Sequence, residues 1–346
     1  MEVVDYREEF WLPLNRFWRK MGLAFAREPQ VFRWKFLVAP AARRGRSLFR
    51  VVLDQGEVAG TMGFTEMPIF VQGQRLQSCA FNDWYLLPRL LGKGIGSELF
   101  HHFLVRSSQI KLHMLSTPPS MRVALRNGFE ELTGFATYSQ IYSWTRTALE
   151  FVRRKLSRGN RAYFRKPRAM TSLLERLAGI DLEVMPLRAD EESANRFLLR
   201  CQMQYPAACG RDYEYLAWHY LEHPFDIGAI FQLVDDNGEL RAIFALVWRV
   251  QGLRDFLLLA DVYYDRKRPE DLRRVLRFHH QAALGLGADA RSFYTGNAEL
   301  ARAAMESGMT HQVDYLNAFL NTTELAMSAA NSHQWYTSGG DTDYVK

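Results

Sequence analysis

The sequence repeats itself at an interval of about half its length. Phe32–Pro40 (FRWKFLVAP) returns as Leu216–Pro224 (LAWHYLEHP), 184 residues on, with Trp, Leu and Pro at matched places. Leu53–Gly60 (LDQGEVAG) returns as Val234–Ala242 (VDDNGELRA), 182 residues on when aligned on Glu57 and Glu239. Arg122–Phe129 (RVALRNGF) returns as Arg302–Met309 (RAAMESGM), 180 residues on. Three matches in one order at a nearly constant offset identify a tandem duplication. The second pair reads as hairpins, with Gly56 and Gly238 supplying the positive-φ turn position, and the third as short helices closed by glycine.

Within each copy the order is two helices, a β-hairpin, a third strand, a loop, a helix, a strand, a short helix ending in Gly, and a final strand. In the first copy the helices fall at Glu8–Phe25, Pro29–Phe36, Ser97–Ser107 and Ser120–Asn127. The strands fall at Leu48–Leu53, Val58–Thr65, Leu76–Leu87, Lys111–Ser116 and Phe135–Trp144. That order argues an α+β fold, a mixed, mostly antiparallel sheet flanked by helices, made twice. The expected division is 1–145 for the first domain, 146–187 for a linker and 188–346 for the second. Between Thr145 and Leu177 stand ten basic residues and two acidic ones, a surplus of eight that exceeds the +6 of the whole chain. A solvated connector is one reading of this segment and an anion-facing surface the other. Cys79, Cys201 and Cys209 have no metal or disulfide spacing and read as buried or free thiols. The first residues, with Asp5, Glu8 and Glu9, lack a signal-peptide pattern and no apolar run spans a bilayer, so a cytoplasmic protein is expected.

The most informative loop is GKGIG, Gly92–Gly96, between a strand ending in Leu87-Pro88 and a helix. A strand entering a glycine-rich turn and then a helix aims successive backbone N–H groups at one point, which suits an anion. Trp84–Leu104 (WYLLPRLLGKGIGSELFHHFL), followed by the helix ending RNGF, resembles the acyl-CoA binding core of the GNAT superfamily of N-acyltransferases. Leu86-Leu87-Pro88 fits that family's strand end, Gly94 and Gly96 its two small positions, and Gly92 and Lys93 are typical companions. The resemblance implies that the amides from Gly92 through Ser97, including Lys93, Gly94, Ile95 and Gly96, hold the coenzyme A pyrophosphate. The backbone at Tyr85 and Leu86 would then pair with the pantetheine arm, with acetyl-CoA as acyl-donor substrate.

There are departures from the family pattern. Leu91 stands where the family has Arg or Gln, Ala124 where it has the Tyr that protonates the leaving thiolate, and Thr117 where it has Asn. The second copy reads DVYYDRKRPEDLRRVL at the matching turn, without glycine, so no amide nest is expected there; Ala304 again replaces Tyr, although Asn297 matches the family's Asn. Asp83 is the best-placed carboxylate for a general base, but Asp261 occupies the matching place in the copy without a loop, which fits a shared structural role as well. Tyr85 and Tyr138 are candidate thiolate donors. The implied function is acyl transfer, acetyl foremost, from acyl-CoA to a small-molecule, saccharide or peptide amine, with no specific nucleic acid. Two alternatives stand beside it: a Fem-type aminoacyl transferase, which the basic segment would suit, and a coenzyme-A-binding regulatory protein without turnover.

Overall fold

The computed structural model describes the chain except residues 24, 25, 27, 105–109, 115–117, 133–134, 157–168, 178, 182, 313–317, 323–334 and 337–346. The first half runs β1 (Glu2–Asp5), α1 (Trp11–Met21), α2 (Pro29–Phe32), α3 (Pro40–Arg43), β2 (Phe49–Asp54), β3 (Glu57–Val71), β4 (Gln74–Leu86), α4 (Ile95–Leu104), β5 (Ile110–Met114), α5 (Pro118–Arg126), β6 (Glu130–Leu132) and β7 (Ala136–Ile141). Two helices follow, α6 (Trp144–Leu156) and α7 (Thr171–Leu177). The second half runs β8 (Val184–Pro186), α8 (Glu191–Gln202), β9 (Ala207–Cys209), α9 (Tyr213–Leu216), β10 (Gly228–Val234), β11 (Leu240–Gln251), β12 (Arg254–Tyr264), α10 (Pro269–Leu286), β13 (Ala290–Thr295), α11 (Ala298–Glu306), β14 (Thr310–Gln312), β15 (Ala318–Thr322) and β16 (Trp335–Tyr336).

The duplication is visible as two mixed sheets of matched order. The first begins β1-β2-β3-β4-β5 and the second β8-β10-β11-β12-β13, all neighbours antiparallel except the parallel pairs β4–β5 and β12–β13. At the next place the copies cross. β15 of the second half lies between β5 and β6 in the first sheet, and β7 of the first half lies between β13 and β14 in the second. β6 ends at Leu132 in the first sheet and β7 begins at Ala136 in the second. Phe135, buried in the first half's core, stacks on Tyr294 of β13 at 5.9 Å between ring centres. β9 extends the first sheet along the far end of β3, and β16 pairs parallel with β9.

The best-matched sequence segment sits where the halves meet. α2 and α9 each run into a π-helical turn, Arg33–Leu37 and Ala217–Leu221, at the same offset of 184 as their sequences. The two tryptophans of these turns, Trp34 and Trp218, stack at 5.2 Å, and each donates its indole N–H to the other's backbone carbonyl, at 2.8 and 2.9 Å. This reciprocal exchange is what a twofold relation between copies produces, and it satisfies two buried indole donors at once. The repeated Trp is therefore the seam of the molecule.

Candidate functional site

The site grows from the way β4 outruns its parallel neighbour. β4 pairs with β5 only over Ser78–Phe81, against Ile110–His113, but continues against β3 as far as Leu86 opposite Gly60. Just past the end of the parallel ladder β4 carries a bulge, with Asn82 opposite Gly63 and Tyr85 opposite Thr61. Asp83 in the bulge has φ 45°, a left-handed conformation that aspartate tolerates better than most residues. The strand then turns through Pro88–Leu90 into Leu91–Gly94 and α4. Its exit is pinned by the Leu87 N–H donating to the Ala59 carbonyl at 2.9 Å and by buried Leu90, Ile95, Leu99 and Phe100 beneath.

Gly92 and Gly94 have φ of 77° and 81°, and a Cβ added to either would meet no atom within 4 Å. Gly96 is needed for another reason: a Cβ there would lie 3.2 Å from the Trp84 ring. The first helical N–H to find a partner is that of Glu98, which donates to the Gly94 carbonyl at 3.1 Å. Among the described residues, the amides of Gly94, Ile95, Gly96 and Ser97 meet no acceptor. Four orphan donors at the positive end of a ten-residue helix, beside two exposed glycines and exposed Lys93, form a seat for a phosphate-sized anion. This is where the sequence places coenzyme contacts, and the structure brings Tyr85, Leu86 and Gly92–Ser97 together around one turn.

The second copy keeps the frame and closes the seat. The β12–β13 ladder runs Phe256–Leu259 with Ala290–Phe293, ending at the residue that matches Phe81, and β12 has its own register shift opposite Ala245/Leu246. The turn after it spends its amides internally. Arg266 N–H donates to Gln204 Oε1 at 2.7 Å, Lys267 N–H to Asp265 Oδ1 at 3.0 Å, and Arg268 N–H to the Asp265 carbonyl at 2.8 Å, while Pro269 has none. The Arg266 guanidinium spans Glu299 and the Gln204 carbonyl, each at 2.9 Å, and lies over the Tyr205 ring. Tyr264 also donates to Glu299, at 2.6 Å, and burial drives the Tyr205 and Tyr264 hydroxyls upward, so both stay protonated. A cleft of about 730 Å³ remains between the starts of α10 and α11, walled by the side chains of Arg266, Arg273 and Arg302 with Glu299 and Glu306. Asn297, the match to the family's Asn, caps α11 by accepting the N–H groups of Glu299 and Leu300.

Two expected catalytic residues have other surroundings. Asp83 is 7% exposed, and its carboxylate is ion-paired with the ammonium of buried Lys35, from the π-turn. Asp261 makes the equivalent link, accepting from the hydroxyl of Tyr220 in the other π-turn and lying 3.6 Å from Arg211. Each aspartate ties its strand's bulge to the seam between copies, a structural role that stands beside the expected role of Asp83 as proton acceptor. Tyr138 is in β7, hence in the second sheet, packed in the second half's core with His311 5.6 Å away, because the strand exchange carries it off the sheet that bears the loop. Ala124 is fully buried, and Thr117 lies outside the described residues. Lys35 escapes the sequence reading, although a lysine with aromatic neighbours on both sides in FRWKFL is the signal that could have found it.

Removing one member of a buried ion pair strands the other, at about 3–5 kcal/mol. We expect Lys35→Met and Asp83→Asn each to lower unfolding free energy by about 3 kcal/mol, and the double variant by clearly less than the sum of the two. Chemical denaturation of the three proteins reads this. A stable Asp83→Asn protein that has lost only catalytic rate would support Asp83 as the base.

No protein-family model and no curated protein matches the sequence. Solved structures do resemble the fold. A GCN5-related N-acetyltransferase from Anabaena variabilis superposes with a TM-score of 0.61 at 12% identity, over 93% of this chain and 72% of that one. One from Kribbella flavida gives 0.56 at 17% identity, over 93% and 71%. Saccharomyces cerevisiae N-myristoyltransferase with bound myristoyl-CoA gives 0.57 at 11% identity, over 84% and 72%. At these identities the likeness is one of fold.

Proposed function

We propose that this chain, which has the fold of the GNAT-superfamily N-acyltransferases, moves an acyl group, acetyl foremost, from acyl-CoA to an amine. The donor sits in residues 1–145, residues 188–346 form a degenerate copy that shapes the acceptor side, and 146–187 connect them. One observation carries this reading. Of two copies of the same strand–turn–helix, the first shows no acceptor among the described residues for the amides of Gly94, Ile95, Gly96 and Ser97, beside two open glycines, while the second fills its turn with Arg266, Lys267 and Pro269 and engages the amides of Arg266, Lys267, Arg268 and Asp271 internally. An open glycine-rich turn before a helix in one copy, and a filled turn in the other, fits a single anion-bearing ligand. The yeast myristoyltransferase structures hold an acyl-CoA on the same fold, which supports a donor of that class.

In this reading Gly94–Ser97 amides and Lys93 hold the pyrophosphate, and the pantetheine arm lies along β4 at Tyr85 and Leu86, where the β5 ladder has ended. The amine lone pair attacks the thioester carbonyl, the C–S bond breaks, and the amine's proton offsets the departing thiolate. A backbone N–H of the Tyr85–Leu86 stretch polarises the carbonyl as negative charge develops on its oxygen. Thiol release from acetyl-CoA and longer acyl-CoAs, against a panel of aminosugars, polyamines and peptides, tests the proposal. Turnover with any pair supports it. Binding without thiol release from any donor points to a regulatory protein, and transfer from aminoacyl-tRNA alone points to the Fem-type reaction.

A further inference from the structure

The filled turn of the second copy stands beside a cleft that its own backbone does not use. About 730 Å³ lies open between the starts of α10 and α11, a volume in the range that holds small organic ligands. Both helices begin at this cleft, so the positive ends of two macrodipoles border it. The acids of their first turns are already engaged. Asp271 pairs with Arg241 at 3.1 Å, Glu270 lies 3.7 Å from the same guanidinium, and Glu299 accepts from Tyr264 and Arg266. Arg273 of α10 and Arg302 of α11, by contrast, line the cleft one from each helix and have no partner among the described residues. Glu306, at the end of α11, is the lining acid without a partner there. Two unpaired guanidiniums thus meet one unpaired carboxylate, and the helix ends add to the positive side.

Arginines on an open face are simply hydrated, whereas a cleft with apolar walls focuses their field on whatever enters it. Pro206, Pro269, Leu272 and Ala303 supply those walls. A carboxylate brings one charge and two oxygens to such a place. A phosphate monoester brings a charge of about −1.5 to −2 and three acceptor oxygens, enough to engage a guanidinium fork from each helix. We propose that this cleft is a second ligand site, taking a phosphate monoester on a small ring-sized body. Arg273 and Arg302 hold the phosphate oxygens, and the apolar wall packs the body. The site differs in kind from the turn before α4, where the donors are backbone amides, because here the turn amides are spent and side chains take their place. It stands independently of the acyl-transfer reading, since its ligand, its residues and its copy are all different.

Titration calorimetry of the full-length protein with phenyl phosphate, and with benzoate as a carboxylate on the same ring, is the test. We expect phenyl phosphate to bind and benzoate to bind about tenfold more weakly or not at all. Arg273→Gln and Arg302→Gln should each weaken phenyl phosphate by about tenfold, the size of one charge-assisted hydrogen bond, and the double variant by more. Melting temperature and acetyl-CoA affinity should not move in these variants, because both arginines are exposed and lie in the copy whose turn is filled. Gly94→Val, which alters the other copy, should leave phenyl phosphate binding as it is. No binding of phenyl phosphate, equal binding of benzoate, or full binding by the double variant overturns the proposal. Loss of phenyl phosphate binding in Gly94→Val alone also overturns it, and would place the phosphate on the turn before α4.

Discussion

Gly94→Val should abolish measurable acetyl-CoA binding in titration calorimetry while leaving a cooperatively folded protein. At φ 81° a β-branched residue is strained by about 1–3 kcal/mol, which a chain of this size survives. The protein itself offers the new side chain room, since no atom lies within 4 Å of the added Cβ. What it obstructs is the space in front of the α4 amides, so the collision is with the ligand. Arg266→Ala and Lys267→Ala, in the matching turn of the second half, should keep affinity within about threefold, roughly 0.65 kcal/mol. Their amides are already engaged, and their side chains sit on the far copy. Normal affinity in Gly94→Val, or loss in the second-half variants, would move the donor site to the other half.

A chain ending at Gln312 should lose acetyl-CoA binding as completely as Gly94→Val, for a different reason. By sequence the deleted residues belong to the second copy, yet β15 is the strand that joins β5 to β6 in the first sheet, with Ala318–Thr322 registered on Ile110–Met114 and Ala318–Leu320 on Glu130–Leu132. Without it β5 becomes an open edge and β6 has nothing to pair with, while the second sheet keeps all seven of its strands. Hydrogen exchange should show protection lost at β5 and β6 and kept at β12 and β13. Unchanged binding and uniform protection in the truncated chain would mean that the first half stands without its exchanged strand.

The amino-acid sequence alone determined the duplication, most of the element order of each half and the position of the glycine-rich turn at the head of α4. Each of these is written in local chemistry: periodicity, glycines at positive φ, and a helix start directly after a strand. Gly56, Gly92, Gly94 and Gly238 do take positive φ, and Trp34 and Trp218 hold matched places in matched turns. The strands Glu2–Asp5 and Glu130–Leu132 and the helix Trp144–Leu156 were not legible, the first two for brevity and the third because its charges read as a linker.

Only the tertiary structure decided which sheet receives Ala136–Ile141 and Ala318–Thr322. Two copies with similar strand ends present similar edges, so neither sequence distinguishes its own sheet from its neighbour's. Phe135, just before β7, is set against Tyr294 of the sheet that receives it. That choice puts Tyr138 in the second sheet rather than the one that bears the loop. Asp83 gains its partner in the same way: a carboxylate at a strand end is equally a base or a lock in sequence, and Lys35, 48 residues away, meets it only when the π-turn folds back beneath the bulge.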